Sequence, residues 1–200
     1  SITNTTASNN NEYGIRLYDS TSCSITNTTA SNNNEYGIEL YESTSCSITN
    51  TTVSSNVAGI LLGNSTSCTI TNTTASNNDD GIYLYYSSNC SITNTTMAGD
   101  GIVILGDDVA HWNTHTIDTS NTVNGKPVYY WKNINGGTVP AGAGQVILAN
   151  CTDVMIENQN VSNGSVGIEI GFSSHCSITN TNASNNNWAG IRLYDSTSCS

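Results

Sequence analysis

Positive charge is scarce in this sequence. Only 4 of the 200 residues are Lys or Arg, against 15 Asp or Glu, and the formal net charge is −11. A surface of this sign repels phosphate backbones and anionic lipid, so neither nucleic acid nor a membrane surface is an expected partner. Ten tyrosines and three tryptophans stand against a single phenylalanine, which favours aromatic rings at a surface.

Long apolar runs are also missing. No stretch is long enough to span a membrane, and no signal peptide or lipidation motif is visible. Apolar residues do not recur at helical spacing. A hydrophobic content of 36% would suggest disorder if the apolar residues were scattered, so their pattern decides whether the chain folds.

That pattern is a repeat. Residues 1–23 and 24–46 are identical except that Arg16 becomes Glu39 and Asp19 becomes Glu42. Residues 47–68 and 69–90 repeat the unit at 22 residues, a fifth copy begins at Ser91 and drifts, and residues 177–199 return to the original. A fixed period of this length indicates supersecondary units stacked on one another.

Aligned copies place apolar residues in columns that alternate with polar positions, which is the period of a β-strand with one buried face. One column contains Ile2, Ile25, Ile48, Ile70, Ile92, Ile156 and Ile178. Another follows a Gly and contains Ile15, Ile38, Ile60, Ile82, Ile102, Ile168 and Ile191. The columns predict an all-β fold, a right-handed parallel β-helix of about eight coils of 22–23 residues, one of them bulged.

We expect residues 1–200 to form a single solenoid that is part of a longer repeat protein, because no capping sequence is recognisable. At a strand spacing of ~4.8 Å the rod would be roughly 38 Å long. An Asn column two residues after the first Ile column predicts tight turns and a ladder of amides along the axis: Asn4, Asn27, Asn50, Asn72, Asn94, Asn158 and Asn180.

The repeated motif S-x-C-S-I-T-N-T-T-x-S-N-N followed by G-I-x-L resembles the right-handed β-helix repeats of NosD-like and pectate-lyase-like proteins. The Asn/Thr/Ser-rich form is similar to cell-surface, S-layer or sheath proteins of methanogenic archaea, and residues 121–133 (NTVNGKPVYYWKN) resemble a recurrent element of NosD-like chains. The resemblance implies the fold over nearly the whole chain. It implies little about function, because this fold carries enzymes, adhesins and structural proteins.

Six of the seven cysteines share one inward column, and the seventh, Cys151, falls three residues before Val154 in the column of Ser20. Their spacing matches no zinc motif. Three interpretations remain open: buried thiols that pack as small hydrophobes, disulfides between successive coils, or metal binding along the column. The candidate ladder comprises Cys23, Cys46, Cys68, Cys90, Cys176 and Cys199, with Cys151 beside it.

The repeat breaks between residues 106 and 150, where about 14 extra residues are expected to bulge from one coil. Loops on a rigid scaffold often carry binding sites. The aromatic bulge is therefore either a contact surface or a hydrophobic flap that covers the side of the helix. The candidate contact residues are Trp112, Tyr129, Tyr130, Trp131 and Lys132.

One acidic cluster could support catalysis, Asp107 and Asp108 with His111 or His115. It lacks the basic residues that a polyuronate substrate would need, so we expect no enzymatic activity, with a glycan hydrolase or lyase as the alternative. No cofactor is expected. Copper at the two histidines and calcium at Asp19 and Glu42 are weaker alternatives, since each set offers only two ligands.

Low charge, Ser/Thr/Asn richness and many N-x-S/T motifs indicate an extracellular protein of the cell envelope. The best candidates for glycosylation lie outside the expected Asn ladder, at Asn64, Asn160, Asn163 and Asn182. We therefore predict a structural protein of a surface layer, sheath or adhesin stalk that forms a homo-polymer. The alternative is a polysaccharide-binding or polysaccharide-processing domain, with cell-surface glycans as partners.

Overall fold

The computed structural model describes all residues 1–200 as about nine parallel coils of a right-handed β-solenoid, which confirms the predicted fold. Each regular coil contributes one strand to each of three sheets. Sheet A contains β1 (Ile2–Thr3), β4 (Ser24–Thr26), β7 (Ser47–Thr49), β10 (Thr69–Thr71), β13 (Ser91–Thr93) and β16 (Thr116–Ile117). Sheet C contains β3 (Ile15–Tyr18), β6 (Tyr36–Tyr41), β9 (Ala58–Gly63), β12 (Asp80–Tyr85) and β15 (Ile102–Leu105).

Sheet B is the longest sheet, with ten strands. It begins with β2 (Thr6–Ser8), β5 (Thr29–Ser31), β8 (Thr52–Ser54), β11 (Thr74–Ser76), β14 (Thr96–Ala98) and β17 (Thr122–Val123). It continues through β18 (Lys126–Lys132), β19 (Gln145–Ala149), β21 (Val166–Gly171) and β23 (Ala189–Tyr194). A small sheet D pairs β20 (Met155–Glu157) with β22 (Ser177–Thr179), and the one-turn helix α1 spans Ala110–Asn113.

Strand register confirms the predicted columns within the first five coils. Ile2 lies opposite Ile25, and Ile15 lies opposite Ile38. The inward isoleucines of the central coils are fully buried, because each coil covers the apolar side chains of its neighbour.

The Asn column forms turns as predicted, since all seven residues have positive φ angles between 49° and 54°. The predicted amide ladder in that column is wrong, with one exception, the bond from Asn180 to Asn158. Its other members are exposed and make no side-chain bonds to one another. The ladder lies in a different column, where each amide donates to the next at 2.7–3.0 Å: Asn10, Asn33, Asn56, Asn78 and Asp100.

The solenoid changes direction at a two-residue turn, Asn124-Gly125. Both residues have positive φ, 51° and 75°, as a type I′ hairpin turn requires. Strand β18 consequently runs antiparallel to β17, whereas every later neighbour in sheet B is parallel. Residues 1–123 therefore form one stack of coils and residues 126–200 a second stack.

The two stacks have separate hydrophobic cores that meet on opposite faces of β18. Val128 packs in the first core and Tyr130 against it, whereas Tyr129 and Trp131 pack against the second core. The columns predicted to run through the whole chain are thus divided. Val146 and Leu148 pair with Ile168 and Ile170, but none of them stacks on the corresponding residues of coil five.

The second stack covers the open edge of β15, which is the last strand of sheet C. Gln145 accepts a hydrogen bond from the N–H of Ile102 at 3.0 Å and donates to its carbonyl at 2.5 Å. Glu169 accepts from the N–H of Ile104 at 3.1 Å, and Arg192 donates to its carbonyl at 2.8 Å. These side chains replace the missing neighbouring strand and satisfy an edge that would otherwise be unpaired.

Candidate assembly surfaces and sites

The cysteine column forms as predicted in the first stack. Cys46, Cys68 and Cys90 are at most 1% exposed, and Cys46 Sγ accepts the backbone N–H of Cys23 at 3.3 Å. All seven thiols are free, including Cys151, which lies beside Ser173 in the Ser column. Cys23 in the first stack and Cys199 in the second are partly exposed. The three interpretations of the column still stand.

Cys68 and Cys90 influence each other inside this column. A hydrogen bond with the Cys90 thiol lowers the pKa of Cys68 to about 7, and the same bond raises the pKa of Cys90. Cys68 is thus the most acidic thiol of the buried set, although no part of it reaches solvent.

His115 occupies the next position in the cysteine column, which the sequence did not reveal. Its Nδ1 accepts the N–H of Cys90 at 3.2 Å, and its Nε2 lies 2.9 Å from the carbonyl of His111. Burial lowers the pKa of His115 to about 4, so the ring is neutral and its single lone pair is already used. His115 is therefore not free to act as a catalytic base or as a copper ligand, the roles that two of the alternatives above give to it.

The acidic cluster does not assemble a catalytic pair with this histidine. His111 Nδ1 lies 3.7 Å from Asp107, and the backbone N–H of Asp108 donates to the same nitrogen at 3.3 Å. Both aspartates are exposed, and His115 points into the core. No group of three or more His, Cys, Asp or Glu side chains is arranged to hold a metal ion.

The aromatic bulge is not a protruding loop. Trp112 is fully buried, and its Nε1 donates to the carbonyl of Gly106 at 3.0 Å, so the prediction of Trp112 as a contact residue is wrong. The Tyr130 hydroxyl donates a hydrogen bond to the carbonyl of Trp112, and Lys132 Nζ donates one to the carbonyl of His115, each at 2.5 Å. The remaining candidates, Tyr129 and Trp131, are half-buried on β18. The structure favours the flap interpretation, because these side chains join the two stacks.

All four candidate glycosylation residues have exposed side chains: Asn64, Asn160, Asn163 and Asn182. Asn64 donates a hydrogen bond to the hydroxyl of Tyr41 at 2.8 Å, so a glycan on the Asn64 amide would have to break that hydrogen bond. The reason for excluding the motifs at Asn4, Asn27 and their column does not hold, since those residues are exposed and outside the amide ladder.

Charge pairs on the outer face of the sheets join residues of adjacent coils. Arg16 Nε lies 2.5 Å from Glu39, and Arg192 lies 3.3 Å from Glu169. Glu169 is fully buried beneath β15, and burial raises its pKa to about 8. Tyr18 and Tyr41 stack with ring centroids 5.9 Å apart.

The coil of residues 177–199 has an apolar side that no other part of residues 1–200 covers. Ile191 and Leu193 are 44% and 46% exposed, whereas their neighbours Ile168 and Ile170 in the preceding coil are fully buried. With Ile178 and Cys199 they line a cavity of about 370 Å³. This is the side of a coil on which another coil normally stacks.

Comparison with known families explains the repeat. The family model described as "Right handed beta helix region" matches residues 1–138 and 58–200, which together cover the whole chain. The chain belongs to this β-helix family. A search of curated proteins found no match to this β-helix.

The solved structures that match this β-helix do so at low sequence identity and low TM-score. The A-module of a mannuronan C-5 epimerase from Azotobacter vinelandii is 11% identical with a TM-score of 0.41, and the match covers 90% of this chain and 58% of that module. A plasmid-mediated fluoroquinolone resistance protein, QnrB1, is 12% identical over 92% of this chain and 91% of its own, with a TM-score of 0.25. The pentapeptide repeat protein HetL from Nostoc is 8% identical over 98% and 88%, with a TM-score of 0.20.

None of the helical segments of this β-helix has the length and apolar character that crossing a membrane would require.

Proposed function

We propose that this β-helix is a structural protein of the extracellular cell envelope that assembles coil on coil, and that it is not an enzyme. One observation carries the proposal: residues 177–199 repeat residues 1–23 at all but three positions, Thr6/Asn182, Glu12/Trp188 and Tyr13/Ala189. The last coil therefore offers the next coil almost the same surface that the first coil offers the second.

The junction between the first two coils provides a template for this contact. There Ile2 lies opposite Ile25, and Ala7 lies opposite Ala30. Because residues 1–23 and 24–46 differ at only two positions, the first coil of a second copy would present nearly the edge that the second coil presents in the structure. Stacking would cover Ile191 and Leu193, which contributes roughly 1 kcal/mol for each half-exposed side chain.

One rung of this junction is unfavourable. Within the chain, Arg16 lies opposite Glu39 of the second coil. Between copies, Arg192 of one copy would instead lie opposite Arg16 of the next. Exchanging the two charges in the double variant Arg16→Glu/Glu39→Arg keeps the pair inside the chain and places Glu opposite Arg192. The net charge stays at −11, so a change in association cannot come from overall charge.

Sedimentation velocity and electron microscopy of the 200-residue protein test this idea. We expect concentration-dependent rods in the wild type, and a lower concentration threshold for rods in R16E/E39R. Monomers of both proteins at every accessible concentration would contradict coil-on-coil assembly.

The cysteine column gives a second, independent measurement. In a stacked pair Cys199 of one copy would lie next to Cys23 of the other, as Cys23 lies next to Cys46. Mild oxidation with diamide should give a disulfide-linked ladder on a non-reducing gel. Cys199→Ser should abolish it, and Cys151→Ser, which alters a buried thiol of the second core, should not.

The extracellular location rests on the low charge and the exposed N-x-S/T motifs. Mass spectrometry of the native protein would test it, because glycans at Asn160, Asn163 or Asn182 can be added only in a compartment that contains the glycosylation enzymes. A polysaccharide-binding role for the bulge has no specific observation in its favour, since those side chains join the two stacks.

A further inference from the structure

The junction between the stacks shows what the Arg–Glu pairs of this fold can bind. Glu169 and Arg192 together hold the N–H and the C=O of one residue, Ile104, on an open strand edge. The guanidinium of Arg192 lies against the rings of Trp188 and Tyr194, 4.6 and 5.8 Å from their centroids. The bound group is the backbone of an extended apolar segment, Ile102–Leu105.

The outer face of the first coils carries the same constellation without an occupant. Arg16 lies beside Glu39 on one rung, as Arg192 lies beside Glu169. The Arg16 guanidinium is flanked by Tyr13 and Tyr18, 4.9 and 5.7 Å from the ring centroids. Its side chain is 44% exposed, against 13% for Arg192, because nothing covers it.

Glu39 has an acceptor position that is unfilled. The residue is only 4% exposed, and its buried Oε2 is engaged in the ion pair, 2.5 Å from Arg16 Nε. In Glu169, Oε1 pairs with Arg192 and the other oxygen, Oε2, accepts the N–H of Ile104. The oxygen of Glu39 outside the ion pair is Oε1, and no hydrogen bond within the chain uses it. Burial raises the pKa of Glu39, so a backbone donor at Oε1 would compensate the carboxylate for its lost hydration.

A cleft leads to this carboxylate. It has a volume of about 290 Å³, and we name it the tyrosine cleft after its lining residues Tyr13, Tyr36, Glu39, Tyr41, Leu61, Tyr83 and Tyr85. Leu61 lies on the same rungs as Glu39 and Tyr83. At one end Tyr83 contacts Trp188 of the second stack, with centroids 6.4 Å apart, so the cleft is continuous with the occupied docking face.

We propose that the tyrosine cleft binds an extended apolar polypeptide segment of a partner protein, whose backbone N–H donates to Glu39 and whose backbone C=O accepts from Arg16. The rings of the cleft receive alternate apolar side chains, as in recognition of a single extended strand. Burial and then the charges of Glu35, Glu39 and Asp80 raise the pKa of Tyr36, which indicates an acidic rim. The segment is therefore flanked by Lys or Arg rather than by acids.

The test uses a peptide copied from the occupied site, acetyl-Lys-Lys-Gly-Ile-Val-Ile-Leu-Gly-Lys-Lys-amide, and the whole 200-residue protein. Calorimetric titration should detect saturable 1:1 binding. The same peptide methylated on the nitrogen of its second Ile loses the donor, and Glu39→Ala loses the acceptor. Each change should weaken binding about tenfold or more, since a hydrogen bond to a carboxylate is lost.

Matched controls separate specific binding from adhesion. Glu12→Gln changes an exposed carboxylate outside the cleft and should leave the affinity unchanged. Circular dichroism melting establishes that Glu39→Ala is folded, and the methylated peptide tests the contact without any variant. Equal affinity for both peptides would overturn the proposal. So would binding of a neutral oligosaccharide such as cellohexaose in place of the peptide, because the cleft would then be a sugar platform.

The proposal does not depend on coil-on-coil assembly. A monomeric protein that binds the peptide would support peptide binding in the tyrosine cleft and contradict coil-on-coil assembly. A polymer that does not bind the peptide would support assembly and contradict peptide binding in the cleft.

Discussion

At the scale of single residues, Asp100 ends the internal ladder of amides. Its Oδ2 accepts from the side chain and the backbone of Asn78, at 2.7 and 3.2 Å, whereas Oδ1 has no partner. Burial raises the pKa of Asp100 to about 6. The folded protein thus prefers the protonated carboxyl, and the associated stability is present below the unfolded pKa of ~3.9 and lost as the pH rises through 6.

Asp100→Asn should therefore stabilise the protein at neutral pH. The amide has the same shape, can still accept from Asn78 and carries no buried charge. We expect the free energy of unfolding to rise by roughly 1–3 kcal/mol at pH 7 and to change little at pH 4. Denaturant titrations at both pH values measure this, with Asp153→Asn as a control at an exposed position. A loss of stability at pH 7 would show that the charge itself supports the fold.

At the scale of secondary-structure elements, the hairpin at Asn124-Gly125 sets the direction of everything that follows. A Cβ at Gly125 would meet no atom within 4 Å, so a substitution there changes only the backbone preference. The Asn-Gly dipeptide between two alternating segments is a recognised hairpin signal. It stands at the junction of the two stacks, within the region that the broken repeat predicted to be a bulge.

Gly125→Ala should cost about 1–2 kcal/mol, because Ala resists the left-handed conformation that the turn requires. Asn124→Gly serves as the control, since Gly adopts positive φ readily and should change stability by about 0.5 kcal/mol or less. Thermal and denaturant unfolding of both variants give the comparison. Equal stability of Gly125→Ala and wild type would mean that the turn relaxes to another geometry.

At the scale of the whole molecule, sheet B connects the two cores, and so does a set of side chains that covers the end of the first stack, which we call the side-chain cap. Gln145 satisfies both backbone groups of Ile102, and Ser165 accepts the N–H of Gly101 at 2.8 Å and donates to the carbonyl of Asp79. Because these contacts are buried, loss of the second stack would leave unsatisfied groups at the end of the first. We therefore expect the wild type to unfold in a single transition.

Gln145→Ala should weaken this coupling. It leaves the N–H and C=O of Ile102 without partners, which should destabilise the protein by roughly 2–4 kcal/mol and separate the unfolding of the second stack from that of the first. Calorimetry resolves the transitions. Hydrogen exchange of the Ile102 amide should accelerate, while that of Ile82, which donates to Gly101 within sheet C, serves as the internal control. A single, unshifted transition would contradict the role assigned to the cap.

The sequence by itself determined the coil. Alternating apolar positions, Gly before each Ile of sheet C and an Asn at one turn of each regular coil are local features, so the repeat predicted the strands, their register and the positive φ angles of that Asn column. The side chains of the cysteine column and of the Arg16–Glu39 rung followed from the same register. Local pattern suffices here because each coil contacts only its neighbours.

Only the tertiary structure decided how the coils continue after residue 105. Ile168 and Ile82 both follow a Gly and both have an apolar residue two positions later, so nothing in this motif distinguishes a strand that extends sheet C from one that covers its edge. The burial of Trp112, the place of His115 in the cysteine column and the roles of Gln145, Glu169 and Arg192 all depend on contacts across tens of residues. Those contacts form because an open strand edge must find hydrogen-bond partners, and here side chains of the second stack supply them.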